Sequence, residues 1–294
     1  MNAPVAASAT PPILEPAMGR AWQLFRRGWG LLFGIVLLAV AVDFVVWAVV
    51  AALTIVPALV HGEYAVRSGP RADDAAARSI AFIALIAPFA LLAWWWTIVA
   101  TFGVADALAV RGSATLLDAT RTFARTWTAF FVAAIGYFGV CVVAVILAIP
   151  TLGLSLFAVG VFLMYVPPAI VSGRRGGFAA IGESFRIVRR RFGTSLLAYV
   201  ILLAVYYGLS FVSVPFFFPV QAWVMTHASE RPMAAPPLGA FAALISACVA
   251  VSSVATIAYW AFAALFVTVL YRSLTDPAGT AAAGTPAAID GGSP

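Results

Sequence analysis

Two histidines with neighbouring glutamates are the side chains whose types could support metal binding or acid–base catalysis. His61 stands two residues before Glu63, and His227 stands three residues before Glu230. Imidazole and carboxylate groups are common metal ligands, so a site between these two loops is one hypothesis. Isolated histidines in polar loops are usually solvated, however, and the sequence has no HExxH, GxSxG, P-loop or GxGxxG motif. We therefore predict no metal, no cofactor and no catalytic residue, and interpret the chain as non-enzymatic.

Asp43 is an acidic residue well inside the long apolar stretch 30–58. A carboxylate at membrane depth is costly to hold, so it is a functional hypothesis by default, here a polar path for transport. The alternative is a structural aspartate that is protonated or hydrogen-bonded to a neighbour such as Tyr206, Ser252 or Tyr259. The sequence leaves both interpretations open.

Asp106 is a second acidic residue associated with an apolar stretch, but it lies near one end of stretch 80–108. Arginines of the following loop are within reach of that end. We therefore predict a structural ion pair for Asp106 rather than a role in transport.

Arginine supplies all 17 basic residues, and most of them lie beside apolar stretches. Basic segments at the cytoplasmic membrane surface attract anionic lipids, with about 1 kcal/mol for each arginine near the surface. This favours anionic lipid over nucleic acid as the partner, although the arginines could instead serve only to set topology. The candidate lipid-binding residues are Arg26, Arg27, Arg121, Arg125, Arg174, Arg175, Arg186, Arg189, Arg190 and Arg191.

The composition indicates which elements must position these residues. Of the 294 residues, 64% are hydrophobic and 10% are charged, whereas soluble domains carry about 25% charged residues. Lipid must therefore be the solvent for much of the chain, and a span needs about 20 apolar residues. The sequence predicts an all-α membrane domain over 13–272, between disordered segments 1–12 and 273–294. Its six transmembrane helices are placed at 30–58, 80–108, 128–149, 152–171, 194–219 and 239–270.

The distribution of arginine predicts the orientation of this domain. Thirteen arginines lie in the N-terminal segment, loops 111–127 and 172–193 and the C-terminal tail, and four lie on the other side. Cytoplasmic loops carry an excess of basic residues. Both termini are therefore predicted to be cytoplasmic in a multi-pass protein of the bacterial cytoplasmic membrane.

An internal repeat connects the arginine-bearing segments. In residues 178–192 the apolar residues recur at spacings of three and four, which is typical of one helix face, while Glu183, Arg186 and Arg190 lie on another. A shift of 65 residues aligns Asp118, Arg121 and Arg125 with these three, and a further shift of 98 aligns Arg27 with Arg125. The sequence thus predicts three repeats of an amphipathic helix followed by a transmembrane hairpin. We interpret each amphipathic helix as lying in the membrane interface, and packing against the bundle is the alternative.

The segment MYVPPAIVSGRRGGFAAIGESFRIVRRRFGTSLL, residues 164–197, resembles the signature of the glycerophosphoryl diester phosphodiesterase membrane-domain family. AWQLFRRGWGLL, residues 21–32, is similar to the opening helix of that family. The resemblance covers roughly residues 13–272 and implies a six-helix membrane module, fused in some relatives to a catalytic barrel that has no counterpart here. One departure is Ser172, at a position where the family often has an acidic residue.

These observations favour a non-enzymatic membrane module that binds anionic lipids and supports envelope or lipid homeostasis. The alternative is a transporter or lipid-translocating protein that uses Asp43 in a polar intramembrane path. A scaffold that binds another membrane or envelope protein is compatible with the same features.

Overall fold

The computed structural model describes residues 13–60, 92–212 and 238–276, together with residues 215, 218 and 222. The side chains of residues 39–40, 42–44, 46–60 and 238–250 are not described. Eight helices and no strand can be bounded within these ranges, which confirms the all-α prediction. They are α1 Leu14–Val60, α2 Leu92–Arg111, α3 Leu116–Ala148, α4 Leu154–Leu163, α5 Val166–Val171, α6 Gly177–Arg190, α7 Phe192–Phe211 and α8 Leu238–Thr275.

Five segments of these helices are long and apolar enough to cross a membrane. They are Leu92–Arg111, Leu116–Ala148, Leu154–Val171, Phe192–Phe211 and Val251–Thr275. The remaining predicted span, 30–58, falls within α1, a continuous helix of 47 residues. A multi-pass helical architecture is therefore consistent with the structure, whereas the number six stays a prediction. The predicted terminal segment 1–12 lies outside the described residues, and α8 continues three residues beyond the predicted end of the domain at residue 272.

The fourth predicted span, 152–171, is divided into α4 and α5 by a turn at Met164 and Tyr165. Pro167 and Pro168 lack the backbone N–H groups that would hydrogen-bond to the carbonyl oxygens four residues earlier. The helix cannot continue regularly through this point and restarts with the two prolines in its first turn. The sequence predicted one span over 152–171, and that prediction did not include this break.

The arginine-bearing segment of α3 is continuous with its span. Thr115 caps the helix, and the capping box with Asp118 satisfies backbone N–H groups at both residues. The preceding helix α2 ends where Gly112 adopts a φ of +72°, a conformation that favours glycine. The short connection fixes the orientation of α3 relative to α2.

The third arginine-bearing helix, α6, differs because it is separate from the span that follows it. Arg191 leaves the helical conformation, with φ −131° and ψ 46°, and α7 begins at the next residue. The predicted helical state of both arginine-bearing segments is confirmed, but only α3 runs straight into its span. Superposition of three repeats remains a prediction.

A small, fully buried residue stands at the equivalent position of each arginine-bearing helix. Ala21, Ala119 and Ser184 are all 0% exposed, and they are separated by the same shifts of 98 and 65 residues that align the arginines. The predicted repeat was aligned on large apolar and charged residues and did not include these positions. The predicted repeat requires aligned residues to be buried to the same extent, and these three residues meet that requirement.

Helices α1 and α8 make an extensive helix–helix contact. Leu32 and Ile35 of α1 and Phe266 of α8 are almost fully buried. Phe25 packs edge-to-face on Phe262, with ring centroids 6.0 Å apart. Helix α1, the first arginine-bearing helix, and helix α8 are in this way joined in one bundle.

Glycine allows helix α6 to approach α3 closely. A Cβ atom added at Gly177 would lie 2.6 Å from the carbonyl oxygen of Ala129 and from the backbone nitrogen of Ala133. Such distances exclude any side chain larger than hydrogen unless the backbones move apart. Close approach of this kind is a common way for membrane helices to gain packing energy.

Candidate functional site

The described arginines of the predicted cytoplasmic segments gather at one end of the bundle, which we call the arginine-bearing end. It comprises residues 20–29, 104–127, 172–192 and 268–276. Arg20 Nη2 donates a hydrogen bond to the carbonyl oxygen of Ala109 at 3.0 Å, which joins α1 to α2. Arg111 Nη2 lies 2.7 Å from Asp118 Oδ2, which joins α2 to α3. The local contacts therefore bring segments that are distant in the sequence to the same end.

Asp106 is the centre of an ion pair that links three parts of this end. Its Oδ1 accepts hydrogen bonds from Arg272 Nε at 3.0 Å and from Arg272 Nη2 at 2.6 Å. The Ser172 hydroxyl donates a short hydrogen bond to the same oxygen. The sequence predicted an ion pair with a loop arginine, and the structure instead places Arg272 of α8 there. Ser172, the residue that departs from the family pattern, thus contacts an acidic side chain supplied by α2.

Glu183 is an acidic residue that α6 directs towards the bundle. It is 9% exposed, and its Oε2 lies 3.1 Å from Arg186 Nη1 on the adjacent turn. The contact is an ion pair, although Oε2 has no partner with hydrogen-bond geometry among the described residues. The pairing of Glu183 with Arg186 agrees with their spacing of three residues. Arg186 is therefore committed to a neighbour in the protein.

The arginines at this end divide into two groups by what they contact. Four are held by the protein: Arg20, Arg111, Arg186 and Arg272. Nine others are exposed, and within residues 13–60, 92–212 and 238–276 they form no ion pair. We call these nine the open arginines: Arg26, Arg27, Arg121, Arg125, Arg174, Arg175, Arg189, Arg190 and Arg191. All but Arg186 of the ten candidates named from the sequence belong to this group.

Helix α6 presents its arginines opposite a buried face of small and medium-sized residues. The buried positions are Gly177, Ala180, Glu183, Ser184, Ile187 and Val188. The predicted apolar stripe is divided: Val188 is buried, Ile181 and Phe185 are half-buried, and Phe178 and Phe192 are 64% and 50% exposed. The helix therefore packs on the bundle along one face, as the alternative interpretation proposed. Its exposed aromatic residues still leave an apolar edge beside the arginines.

Large aromatic side chains are exposed near the other open arginines as well. Trp22 and Trp29 of α1 are 52% and 56% exposed, and Trp127 of α3 is 49% exposed. Trp22 lies four residues before Arg26 and Trp29 three residues after it, so all three share one side of α1, whereas Trp127 lies two residues after Arg125 and projects from another side of α3. Tryptophan favours the membrane–water interface, because its ring is apolar and its N–H is polar. The combination of arginine and exposed aromatic residues is what an interfacial surface requires.

A buried polar network occupies the break between α4 and α5, beside the middle of α6. Ser184 Oγ donates to the carbonyl oxygen of Phe162 at 2.6 Å and accepts from the backbone N–H of Tyr165 at 3.2 Å. The Tyr165 hydroxyl lies 3.2 Å from Ser195 Oγ of α7. Tyr165, Ser184 and Ser195 are all 0% exposed. Ser184 thus supplies hydrogen bonds that the broken helix cannot make within itself.

Sequence reasoning did not identify this network. Two consecutive prolines within an apolar stretch were the available signal for a break. A serine on the buried face of a nearby amphipathic helix was the signal for its partner. Neither signal indicates which backbone groups would hydrogen-bond to the serine, because that depends on how α6 packs.

Three other residues named from the sequence, Asp43, His61 and His227, lie wholly or partly outside the described residues. The backbone of Asp43 belongs to α1, but its side chain lies outside the described residues, as do His61 and His227. Within the described residues no group of three or more His, Cys, Asp or Glu side chains is placed to hold a metal ion. The transport and metal hypotheses therefore stand where the sequence left them.

Comparison of the chain with protein-family models, curated proteins and solved structures found no match. The resemblance to the glycerophosphoryl diester phosphodiesterase membrane domain accordingly stays an expectation from sequence. The feature of the described residues that is best suited to bind a ligand is the arginine-bearing end, with its nine open arginines.

Proposed function

We propose that this protein is a non-enzymatic module of the bacterial cytoplasmic membrane that binds anionic lipid headgroups through its open arginines. It would thereby support envelope or lipid homeostasis, alone or with another membrane or envelope protein. The observation that carries this proposal is the presence of nine exposed arginines, without ion pairs among the described residues, at one end of an apolar helical bundle.

The charge at this end is unbalanced, which supports an anionic partner. Asp106, Asp118 and Glu183 are already paired with Arg272, Arg111 and Arg186. Among the described residues, no ion pair joins a carboxylate to an open arginine. At a membrane surface the available counter-charges are lipid phosphates, and guanidinium groups match phosphate oxygens well.

The surroundings of the open arginines support a lipid rather than a soluble anion. Exposed aromatic rings occur on the same three helices as the arginines: Trp22 and Trp29 on α1, Trp127 on α3 and Phe178 on α6; those of α1 share the side of Arg26. An apolar edge next to a basic edge is the arrangement that holds a helix at the boundary between headgroups and acyl chains. A site for a free anion would not need this apolar edge.

The break in the fourth span is the observation that favours a transporter as the second candidate. Discontinuous helices form the binding sites of many secondary transporters, because they leave backbone groups free for a substrate or ion. Here, however, Ser184 already hydrogen-bonds to backbone groups of Phe162 and Tyr165, and Ser184 and Tyr165 are fully buried. The nine open arginines are available to a lipid, whereas the backbone groups at the break are already hydrogen-bonded to Ser184. We therefore favour lipid binding over transport.

The test is the thermal stability of the purified full-length protein in mixed micelles that contain either phosphatidylglycerol or phosphatidylcholine. A lipid that binds the folded protein stabilises it, by about 2.7 kcal/mol when its concentration is 100 times the dissociation constant. We expect stabilisation by phosphatidylglycerol that weakens as salt rises, because the screening length falls from about 10 Å at 0.1 M to about 3 Å at 1 M. Equal stabilisation by both lipids at low salt would contradict the proposal.

A matched pair of variants separates specific contacts from total charge. Arg121→Gln with Arg125→Gln removes two open arginines of α3, whereas Arg67→Gln with Arg71→Gln removes two arginines predicted to lie on the opposite side. Both variants lose the same net charge. We expect the first pair to reduce the phosphatidylglycerol effect and the second pair to leave it unchanged.

A further inference from the structure

The segment from Arg174 to Arg191 has a higher charge density than the other two arginine-bearing segments. It contains six arginines and one acidic residue, Glu183, and so has a net charge of +5. Residues 111–127, which have three arginines and one aspartate, have a net charge of +2. The two segments therefore differ in how many counter-charges they need within a similar length of chain.

The packing of α6 concentrates this charge on one exposed surface. Gly177 and Ser184 lie on the face that contacts the bundle, so that Arg186, Arg189 and Arg190 project from the other side of the helix. Residues three and four apart on a helix have Cβ atoms about 5–6 Å from each other, and like charges at this spacing repel. Glu183 relieves this repulsion at Arg186 alone.

The helix is held in this orientation by contacts that do not involve the arginines. Gly177 rests on the backbone of α3, and Ser184 bonds to backbone groups at the break in the fourth span. The backbone positions of the arginines on α6 are thus set before any ligand binds. A ligand with two charges on one headgroup could satisfy two of them while only one molecule is immobilised, because the second contact is intramolecular.

We propose that the segment 174–191 binds lipids whose headgroup has two phosphates, in preference to monophosphate lipids at equal total charge. This inference rests on the proposed function. Diphosphatidylglycerol and phosphatidylglycerol are the corresponding probes. Exposed Phe178 and Phe192 place apolar contacts beside the same surface for the acyl chains. The preference belongs to this segment and not to α1 or α3.

The experiment is native mass spectrometry of the full-length protein released from neutral detergent. Diphosphatidylglycerol is added at one concentration and phosphatidylglycerol at twice that concentration, so that the phosphate charge is equal. One additional arginine engaged by the second phosphate is worth about 1 kcal/mol, which corresponds to about five-fold tighter binding. We expect about this preference per phosphate in the wild-type protein.

Two variants of equal charge locate the site. Arg189→Gln with Arg190→Gln should abolish the five-fold preference, whereas Arg121→Gln with Arg125→Gln should retain it. All four side chains are exposed, so neither pair should affect folding. A preference that survives in the first pair would overturn the assignment to α6.

The other outcomes distinguish this inference from the proposed function. Equal binding of the two lipids at equal charge would overturn the inference and leave anionic lipid binding intact. Binding of neither lipid would overturn both. Inorganic pyrophosphate provides the last arm: complete displacement of bound lipid by a low concentration of this soluble anion would indicate a free-phosphate site and contradict a lipid ligand.

Discussion

Replacement of Ser184 by alanine is the perturbation that tests most sharply how α6 is held on the bundle. The substitution removes one hydroxyl from a side chain that is 0% exposed and changes the packing little. It removes the donor to the Phe162 carbonyl at 2.6 Å and the acceptor for the Tyr165 N–H at 3.2 Å. Two backbone groups at a helix break would then lose a partner inside the protein.

The expected loss of stability follows from these two contacts. A buried group left without its hydrogen bond costs about 1–3 kcal/mol, while side-chain hydrogen bonds between membrane helices average about 0.6 kcal/mol with a maximum near 1.7. Because Ser184 and Tyr165 are 0% exposed and the contact with Phe162 is partly buried, we expect Ser184→Ala to lower the free energy of unfolding by about 1–3 kcal/mol. The assay is reversible unfolding in mixed micelles of increasing SDS content, followed by tryptophan fluorescence.

The matched control is Ser273→Ala in α8. Ser273 Oγ donates to the carbonyl oxygen of Val269 in its own helix at 2.9 Å, and that carbonyl also belongs to the regular helical ladder. We expect this variant to lie within about 0.5 kcal/mol of wild type. If Ser184→Ala were as stable as Ser273→Ala, the break would not depend on the serine, and the account of how α6 is fixed would be refuted.

Three further predictions concern the bundle and its orientation. Arg272→Gln should destabilise the protein by about 1–3 kcal/mol by leaving Asp106 unpaired, and Asp106→Asn added to it should recover part of the loss in the same SDS assay. Full destabilisation in the double variant would argue against pairing as the cause. Gly177→Val should destabilise by more than about 2 kcal/mol through overlap with the α3 backbone, whereas Gly176→Val, where no atom lies within 4 Å of an added Cβ, should cost far less. Accessibility reporters at both termini and at residue 175 should report the cytoplasm, and those near residues 70 and 230 the exterior; an external signal at 175 would overturn the predicted topology.

Features that depend on composition and local periodicity could be predicted from the sequence. Apolar stretches of sufficient length gave helices, and residues 116–127 and 178–190 are helical as their spacing indicated. The nine open arginines were identified as candidates because basic residues beside apolar spans are hard to place anywhere but at a membrane surface. These inferences need no knowledge of which helices are neighbours.

Features that depend on tertiary contacts could not be predicted. Arg272 lies 166 residues from Asp106 in the sequence, and nothing local distinguishes it from a nearer arginine as the partner. The face by which α6 packs was also missed, because hydrophobicity gives most weight to large side chains such as Phe178. Close packing of membrane helices instead depends on small residues, here Gly177 and Ser184, that let backbones approach.

The central claim is that the open arginines hold anionic lipid in the finished protein, beyond any role in setting its topology. The most direct measurement is the lipid composition of particles extracted from the cell membrane with a detergent-free polymer, compared with that of the bulk membrane. We predict that phosphatidylglycerol and diphosphatidylglycerol are enriched around the wild-type protein. The enrichment should decrease in the variant that combines Arg121→Gln, Arg125→Gln, Arg189→Gln and Arg190→Gln. Particles with the composition of the bulk membrane, or with the same enrichment in the variant, would contradict the claim.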